Sequence, residues 1–444
     1  MRPRADAREL YDLYTFKRTH NRFLSLAIWR FDGQDILAPI GLETFMTTGP
    51  QPFEGFRVID FTRVVSGPYA SLQLALLGAD VIKIESPASG DEARQMSPDP
   101  DLAAKNMSPA YMALAANKRS VALDLKNPAA RDAVAKLIKG ADVVMENFRP
   151  GVIDRLGLGY EAMAADNPKL VWCSISGFGQ SGPRAGSAAY DARLQAMSGL
   201  MSITGHTEYG PVRAGYAVID AATGMSAAFA TAAALLQRER TGRGQRIDAP
   251  MMDAVLSHMA PTVAEWTVAG LTPGLSGNQG TSGRPTANLF RCRDGAVMLA
   301  ANNERQFEAL AKAIAAPDLL TDPRFKDWDT RKANADALRD ILEARLMSAD
   351  GAHWEDVLDA AGVPASRVRD IPAAVTDPQT THRGLMATFE GGPTGDGYSL
   401  VGAPFSYDWG GPAMVSPPPE LGADTAAVLS EAGLDAATVK AAMS

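Results

Sequence analysis

The sequence predicts an α/β fold built on a doubly wound parallel sheet, and three observations predict it. A strand-like run, a helical run and a second strand-like run follow one another from Phe56. The alternation then continues through two more helix and strand pairs. Near Leu289 the character changes, and a short strand pair precedes charged helices, as in a second, smaller domain.

The elements justify this in order. FRVIDFT opens the pattern, GPYASLQLALLGA repeats its apolar residues at helical spacing and is closed by Gly78, and DVIKIE is enriched in β-branched residues. That is a parallel βαβ unit. The helix PAARDAVAKLIKGA leads to the strand DVVMEN, and GYEAMAADNP leads to LVWCSISG. The apolar stretch MSAAFATAAALL is interrupted by Ser and Thr and falls short of the roughly 20 residues that cross a bilayer, so it reads as a buried helix. Beyond Leu289, RCRDGAVMLA reads as a strand pair, while NERQFEALAKAIA and RKANADALRDILEARLM read as helices. ATFEGG, YSLVGAPF, a proline-rich SPPPELG and the helix DTAAVLSEAG form a tail that returns to the large domain.

Residues 1–52 differ in character from the rest of the chain and lead into the loose MTTGPQPFEG; they read as an extension, either an interface arm or an over-long start with translation at Met46. The first residues mix both charge signs with aromatics and contain no apolar signal core.

Composition excludes several classes. With 444 residues, 46% of them hydrophobic and 21% charged, disorder and collagen-like fibre are ruled out. The 43 Lys and Arg against 51 Asp and Glu leave a net charge of −8, without the basic excess that attracts nucleic acid. Cys173 and Cys292 are the two cysteines, so neither a disulfide framework nor a thiolate metal site is expected, and a cytoplasmic protein fits. The five histidines are scattered with no zinc signature, so no metal is expected.

Motifs narrow the chemistry. The stretch from Gly177 to Gly182, GFGQSG, follows a strand but no helix opens after it, so a plain turn is preferred to a dinucleotide site. No Gly-x-Ser-x-Gly elbow and no convincing Cys and His pair occur. Carboxylate chemistry remains, and Asp220 sits where an apolar run meets the small-residue helix AATGMSAAFATAAALL. From pattern alone Asp220 is a helix N-cap, since Asp accepts from first-turn amides. Arg149 and Arg155, in ENFRPGVIDRLG, are either surface charges or phosphate ligands.

The segments GFRVIDFTRVVSGPYASLQLALLGADVIKIE, NKRSVALDLKNP, ADVVMENFRPGVIDRLGLGY, YDARLQAMSG, AVIDAATGM, TGRGQRIDAPMMDAV and VGAPF run in one order from about residue 53 to the C-terminus. Together they resemble the class III CoA-transferases, the group of formyl-CoA transferase, carnitine CoA-transferase and the α-methylacyl-CoA racemases. The resemblance implies a Rossmann-like large domain over 53–288, a smaller α+β domain over 289–383, a C-terminal segment over 384–444 rejoining the first, and an interlocked homodimer. It implies Asp220 as nucleophile, and a CoA surface of Val65, Ser66, Leu123 to Lys126, Asn147, Phe148, Arg149, Arg155 and Tyr190. It also implies a glycine-rich flap in GNQGTSGRP, at Gly277, Gly280 and Gly283. Amides of that flap and of the helix following Asp220 are the expected oxyanion donors. A CoA thioester is the expected substrate, with no prosthetic group, no nucleic acid and no membrane as partners.

Departures from the family pattern matter. Val65 stands where formyl-CoA transferase has glutamine, and its flap is richer in glycine, which disfavours formyl and oxalyl specificity here. Ser86 replaces a basic CoA contact, leaving Lys83, Arg94 or Lys118 as substitutes. Tyr190 stands where the racemases carry their histidine; tyrosine, with an ordinary pKa of about 10, is a poor base near neutrality. A CoA-transferase is therefore favoured over a 2-methylacyl-CoA racemase. A non-catalytic acyl-CoA binder is disfavoured by Asp220 and the flap. Arg213, close to Asp220 in sequence, suits the distal carboxylate of a donor such as succinyl-CoA.

Overall fold

A computed structural model describes residues 49–444, so the extension expected over 1–52 lies, up to residue 48, outside the described residues. The elements that build the site are β1 (Arg57–Asp60), α1 (Ser66–Leu76), β2 (Asp80–Glu85), β3 (Lys118–Ala122), α2 (Pro128–Lys139), β4 (Val143–Glu146), β5 (Val171–Ser176), α3 (Asp191–Met197), α4 (Val218–Thr241) and β6 (Arg246–Pro250). The six strands form one parallel sheet in the order β3-β2-β1-β4-β5-β6. This is the doubly wound arrangement that the alternation predicts.

β-Branched pairs explain why the central strands are buried on both faces. Ile59 lies opposite Ile82 on one side and Val144 on the other, and all three belong to one apolar layer with Val134 and Ile138 of α2. Their neighbours Val58, Val81 and Val143 point the other way, into a layer with Ala70 and Leu74 of α1 and Ala227 and Ala228 of α4.

Two strands escape the sequence reading. β3 (KRSVA) and β6 (RIDAP) are the outer strands, and their charged residues break the apolar run by which the inner strands are read. The helix α4 is also longer than its apolar stretch suggests, at 24 residues, because Val218 to Thr223 and the charged QRERT turn continue it. Its length and composition would suffice to cross a membrane. One face of it is buried in the sheet layer, while Phe229 and Leu236 on the other are exposed.

Beyond Leu289 a second core forms around β7 (Leu289–Cys292), β8 (Gly295–Leu299) and β9 (Ala365–Arg367), an antiparallel sheet in the order β9-β8-β7. Phe290, Val297, Leu299, Phe307, Leu342 and Leu358 fill it. The helix read through RKANADALRDILEARLM is divided at Asn334.

The tail is more regular than its composition suggests. β10 (Met386–Phe389) and β11 (Tyr398–Val401) pair as an antiparallel hairpin, and α5 (Thr425–Glu431) and α6 (Ala436–Met443) pack their Val428, Leu429, Val439 and Ala442 against the α2 layer. The chain here also covers the outer strand: the Ser120 amide donates to Asp424 at 2.8 Å and the Ala122 amide to the Thr425 hydroxyl at 3.0 Å. Pairing those amides protects an edge that would otherwise be open to another strand.

Candidate active site

In this strand order the chain turns away in opposite directions from β1 and β4, which lie side by side, and the carboxyl ends of such a pair frame a crevice. Asn147 joins the two loops that line it. Its side-chain oxygen accepts from the Arg63 amide at 2.9 Å, and its amide group donates to the Arg63 carbonyl at 2.8 Å. The Arg63 guanidinium lies 5.2 Å from the Phe148 ring centroid, and Phe61 packs on the same ring. Val65, Ser66, Asn147 and Phe148 therefore lie on two loops that are tied together, and Leu123 follows the nearby end of β3 with its amide bonded to the Glu85 carbonyl.

Lys126, Arg149 and Arg155 are exposed, and among the described residues none of them is in an ion pair. Free cations at the mouth of such a crevice suit phosphate oxygens, Arg by its planar fork. Tyr190 is exposed and immediately precedes α3. The substitutes considered for Ser86 fail on burial: Lys83, Arg94 and Lys118 are each at most 4% exposed and are paired to Asp91, Glu85 and Asp60. They cannot reach a ligand at the surface.

Asp220 is not the cap of its helix. The N-cap is Ala217, and Asp220 is the third residue of α4. Capping falls instead to Asp191, from a different helix: its carboxylate accepts from the Ile219 amide at 2.8 Å and the Asp220 amide at 3.3 Å. Gln195 steadies Asp191 through its side-chain amide at 2.5 Å and accepts from the Ala214 amide at 2.9 Å. The helix begins before Asp220, so the amides expected after it as oxyanion donors are engaged within α4, that of Ala221 donating to the Ala217 carbonyl at 3.0 Å.

Released from capping, the Asp220 carboxylate lies beside Ser66, at the start of α1, whose hydroxyl and amide lower its pKa. Two helix N-termini therefore meet at one carboxylate, a place favourable to negative charge. Their approach depends on Gly224, where a Cβ would lie 2.6 Å from the Ser66 carbonyl oxygen. Burial, and next the charge of Asp191, push the Asp220 carboxyl up to about 6, and the Ser66 hydrogen bonds oppose them. A carboxylate poorly solvated but still ionised near neutrality is a better nucleophile than one fully hydrated.

Its titration gives a first expected result. If Asp220 is the attacking group its ionised form is required, and kcat should be level above pH 7 and fall about tenfold per unit below about pH 6. A single-turnover pH profile measures this. A profile level down to pH 4 would remove Asp220 from the rate-limiting chemistry.

The flap is anchored at both ends. The Gly277 amide donates to the Gly205 carbonyl at 2.9 Å, the Gly280 amide to Ala287 at 2.8 Å and the Gly283 amide to Gly280 at 2.9 Å. Gly277 has φ +60°, with no room for a Cβ beside the His206 ring. Among the described residues no hydrogen bond joins the flap to Asp220. Arg213 is exposed and in no ion pair among those residues, and the Ala214 amide next to it is tied to Gln195.

Sequence reasoning missed Asp191, Gln195 and Glu146. Asp191 acts on amides 28 and 29 residues away, and no local pattern reveals that pairing. Glu146 ends β4 beside Asn147, accepts from the Phe148 amide at 2.9 Å, and is pushed by burial up to about 7 against the hydrogen bond from Ser174. It reads in the sequence as the last residue of a strand.

Comparison with known proteins places this geometry. The family described as CoA-transferase family III matches residues 53–425. The chain is 40% identical over 336 residues to acetyl-CoA:oxalate CoA-transferase of Acetobacter aceti, covering 76% of this chain and 85% of that one. It is 35% identical over 400 residues to succinate–glutarate CoA-transferase of Agrobacterium fabrum, covering 87% and 97%. Among solved structures, a CAIB/BAIF family protein from Brucella suis superposes with a TM-score of 0.78 at 32% identity, over 86% of this chain and all of that one.

Proposed function

This chain belongs to CoA-transferase family III and is an enzyme of that class, and within it we propose that it moves CoA from a short acyl-CoA donor to a dicarboxylate, with Asp220 as the covalent carrier. The observation that carries the reading is the Asp220 carboxylate, part-buried beside Ser66 where two helix N-termini meet.

An Asp220 oxygen attacks the thioester carbonyl of the donor, and the carbon–sulfur bond breaks to leave a mixed anhydride and CoA thiolate. The thiolate then attacks the Asp220 carbonyl of the anhydride, which releases the donor acid as carboxylate and leaves an aspartyl-CoA thioester. The acceptor carboxylate attacks that thioester and displaces the thiolate again. Thiolate attack on the acceptor carbonyl of this second anhydride gives the new acyl-CoA and restores Asp220. No net proton, electron or water is consumed, and each barrier is divided by covalent catalysis.

In the first turn of α1 Pro68 has no N–H and the Tyr69 amide donates to the Val65 carbonyl at 2.8 Å, so the Gly67 amide, unengaged among the described residues, is the natural oxyanion donor, the Ile219 and Asp220 amides of α4 being bound by Asp191. The dicarboxylate reading draws on relatives named for oxalate and for glutarate, and on Arg213, whose guanidinium is free to pair a distal carboxylate. Lys126, Arg149 and Arg155 are assigned to the phosphates of CoA.

Incubation with succinyl-CoA or acetyl-CoA, an acceptor panel of oxalate, glutarate and monocarboxylates, and hydroxylamine as a trap tests both parts. A hydroxamate on the peptide carrying Asp220, formed only with acyl-CoA present, is expected together with a new dicarboxylyl-CoA. Transfer without the adduct sinks the covalent mechanism. Transfer to monocarboxylates alone sinks the substrate class, and in deuterated water, label at the α-carbon without a new thioester marks a racemase.

A further inference from the structure

Beneath the turn between β1 and α1 lies a set of charged side chains that the proposed chemistry does not touch. Lys83 and Asp91, each 1% exposed, form an ion pair at 2.8 Å. The Lys83 ammonium also donates to the Thr62 carbonyl at 2.6 Å, and Asp91 accepts from the Val64 amide at 2.9 Å. The Ala93 amide at 3.0 Å occupies the same Asp91 oxygen, while the Asp91 amide is itself bound to Glu85 at 2.9 Å. On the far side of the turn, Lys118 holds the Pro68 carbonyl at 2.9 Å. The turn is thus gripped at Thr62, Val64 and Pro68 from below.

The grip falls on strained backbone. Val64 has φ +70°, the left-handed region, where a β-branched side chain crowds the chain. Among the described non-glycine residues with positive φ, the others are Asn106, Asn117 and Ala315, so Val64 is the β-branched one. Two residues later comes Ser66, against whose carbonyl α4 packs at Gly224, one turn after Asp220, and whose amide and hydroxyl lower the Asp220 pKa.

We infer that the Lys83–Asp91 pair is a positioning device for the covalent step: through the Val64 amide it keeps the turn in its left-handed form, and so aims both Ser66 donors at Asp220. The inference rests on Asp220 being the nucleophile. Asp91 and Lys83 are positioning residues, since neither touches the carboxylate. Without the anchor Val64 relaxes to negative φ, the chain at Ser66 turns, and Asp220 loses both donors.

Three variants read this out. Asp91→Ala removes both the charge that Lys83 requires and the oxygen that accepts from the Val64 amide, and should lower kcat by about 100-fold, the cost of a misplaced reacting group, with KM for acyl-CoA within about threefold. Its acid limb in kcat should move up by about one pH unit, because the influence of Ser66 that holds the Asp220 carboxyl down is lost. Val64→Pro leaves every charge in place but fixes φ near about −65°, and should give the same signature even if Asp91→Ala fails to fold. Adding Val64→Gly to Asp91→Ala should recover at least about tenfold in kcat, because glycine takes the left-handed form unaided.

A folded Asp91→Ala or Val64→Pro variant with the parent kcat and an unmoved acid limb overturns the inference. The hydroxylamine trap separates this from its premise. Absence of an Asp220 adduct in the parent enzyme removes the nucleophile itself. An adduct that forms in Val64→Pro at the parent rate removes the positioning role alone.

Discussion

Asp220→Ala will lower acyl-CoA turnover by about 10⁴-fold or more, the scale of losing a covalent nucleophile, while acyl-CoA binding measured by calorimetry stays within about threefold of the parent. The separation follows from the geometry. The residues assigned to CoA lie on the loops after β1, β3 and β4 and, for Tyr190, just ahead of α3, whereas Asp220 projects from α4 and faces that surface at Ser66. Wild-type turnover in this variant would end the covalent mechanism.

The isosteric Asp220→Asn carries a second, opposite signature. The Asp220 carboxyl titrates at about 6 in the fold against 3.8 for the ordinary group, so the fold disfavours its ionised form. Such a raised acid contributes stability below about pH 4 and loses it as pH rises through about 6. The full shift corresponds to about 3 kcal/mol, which partial solvent exposure reduces to about 1 to 2 kcal/mol. Asp220→Asn should therefore unfold at higher urea than the parent at pH 8, and the gain should vanish at pH 4. An inactive variant that is more stable only where Asp220 is charged is hard to explain unless the site strains its own nucleophile.

Arg94→Met will be the most destabilising single change in the large sheet layer, by about 3 to 5 kcal/mol, because it leaves a buried carboxylate without its counter-charge. Arg94 binds both oxygens of Glu85 at 2.7 Å, stacks 3.8 Å from the centroid of the Tyr111 ring and donates to the carbonyls of Asn106 and Pro419. Burial would raise the Glu85 carboxyl, but the Arg94 hydrogen bonds, with the charges of Lys83 and Arg94, outweigh it and hold the group below its ordinary range. A lowered acid contributes stability above its unfolded pKa and loses it as pH falls. The deficit of Arg94→Met in urea should accordingly be larger at pH 8 than at pH 5, and Glu85→Gln added to it should recover part of the loss. A deficit below about 1 kcal/mol at pH 8 would mean that water solvates Glu85 once the arginine is gone.

What can be read from the sequence depends on the range over which each interaction acts. The inner strands β1, β2, β4 and β5 are legible because their own apolar runs encode burial, and Pro128 and Gly140 mark the limits of α2. The outer strands are not, since KRSVA and RIDAP take their structure from a neighbour on one side and, for β3, from Asp424 and Thr425 about 300 residues away. Asp220 is singled out by resemblance, and its local reading as a cap fails for a physical reason: a buried carboxylate on another helix already fills that role. The anchoring of Val64 is invisible for the same reason, because φ +70° at a valine contradicts local preference and its amide is held by Asp91, 27 residues away. This departure from local preference lies two residues before Ser66, the neighbour of Asp220.

The seam at Gly224 bears on how this enzyme can change over generations. Any side chain there would collide with a backbone oxygen rather than with a group able to swing aside, so the collision is relieved only by parting α4 from α1. Parting them also parts Asp220 from Ser66. A side chain at this position therefore disturbs Asp220 and Ser66 together, so Gly224, Asp220 and Ser66 can change only as a single block.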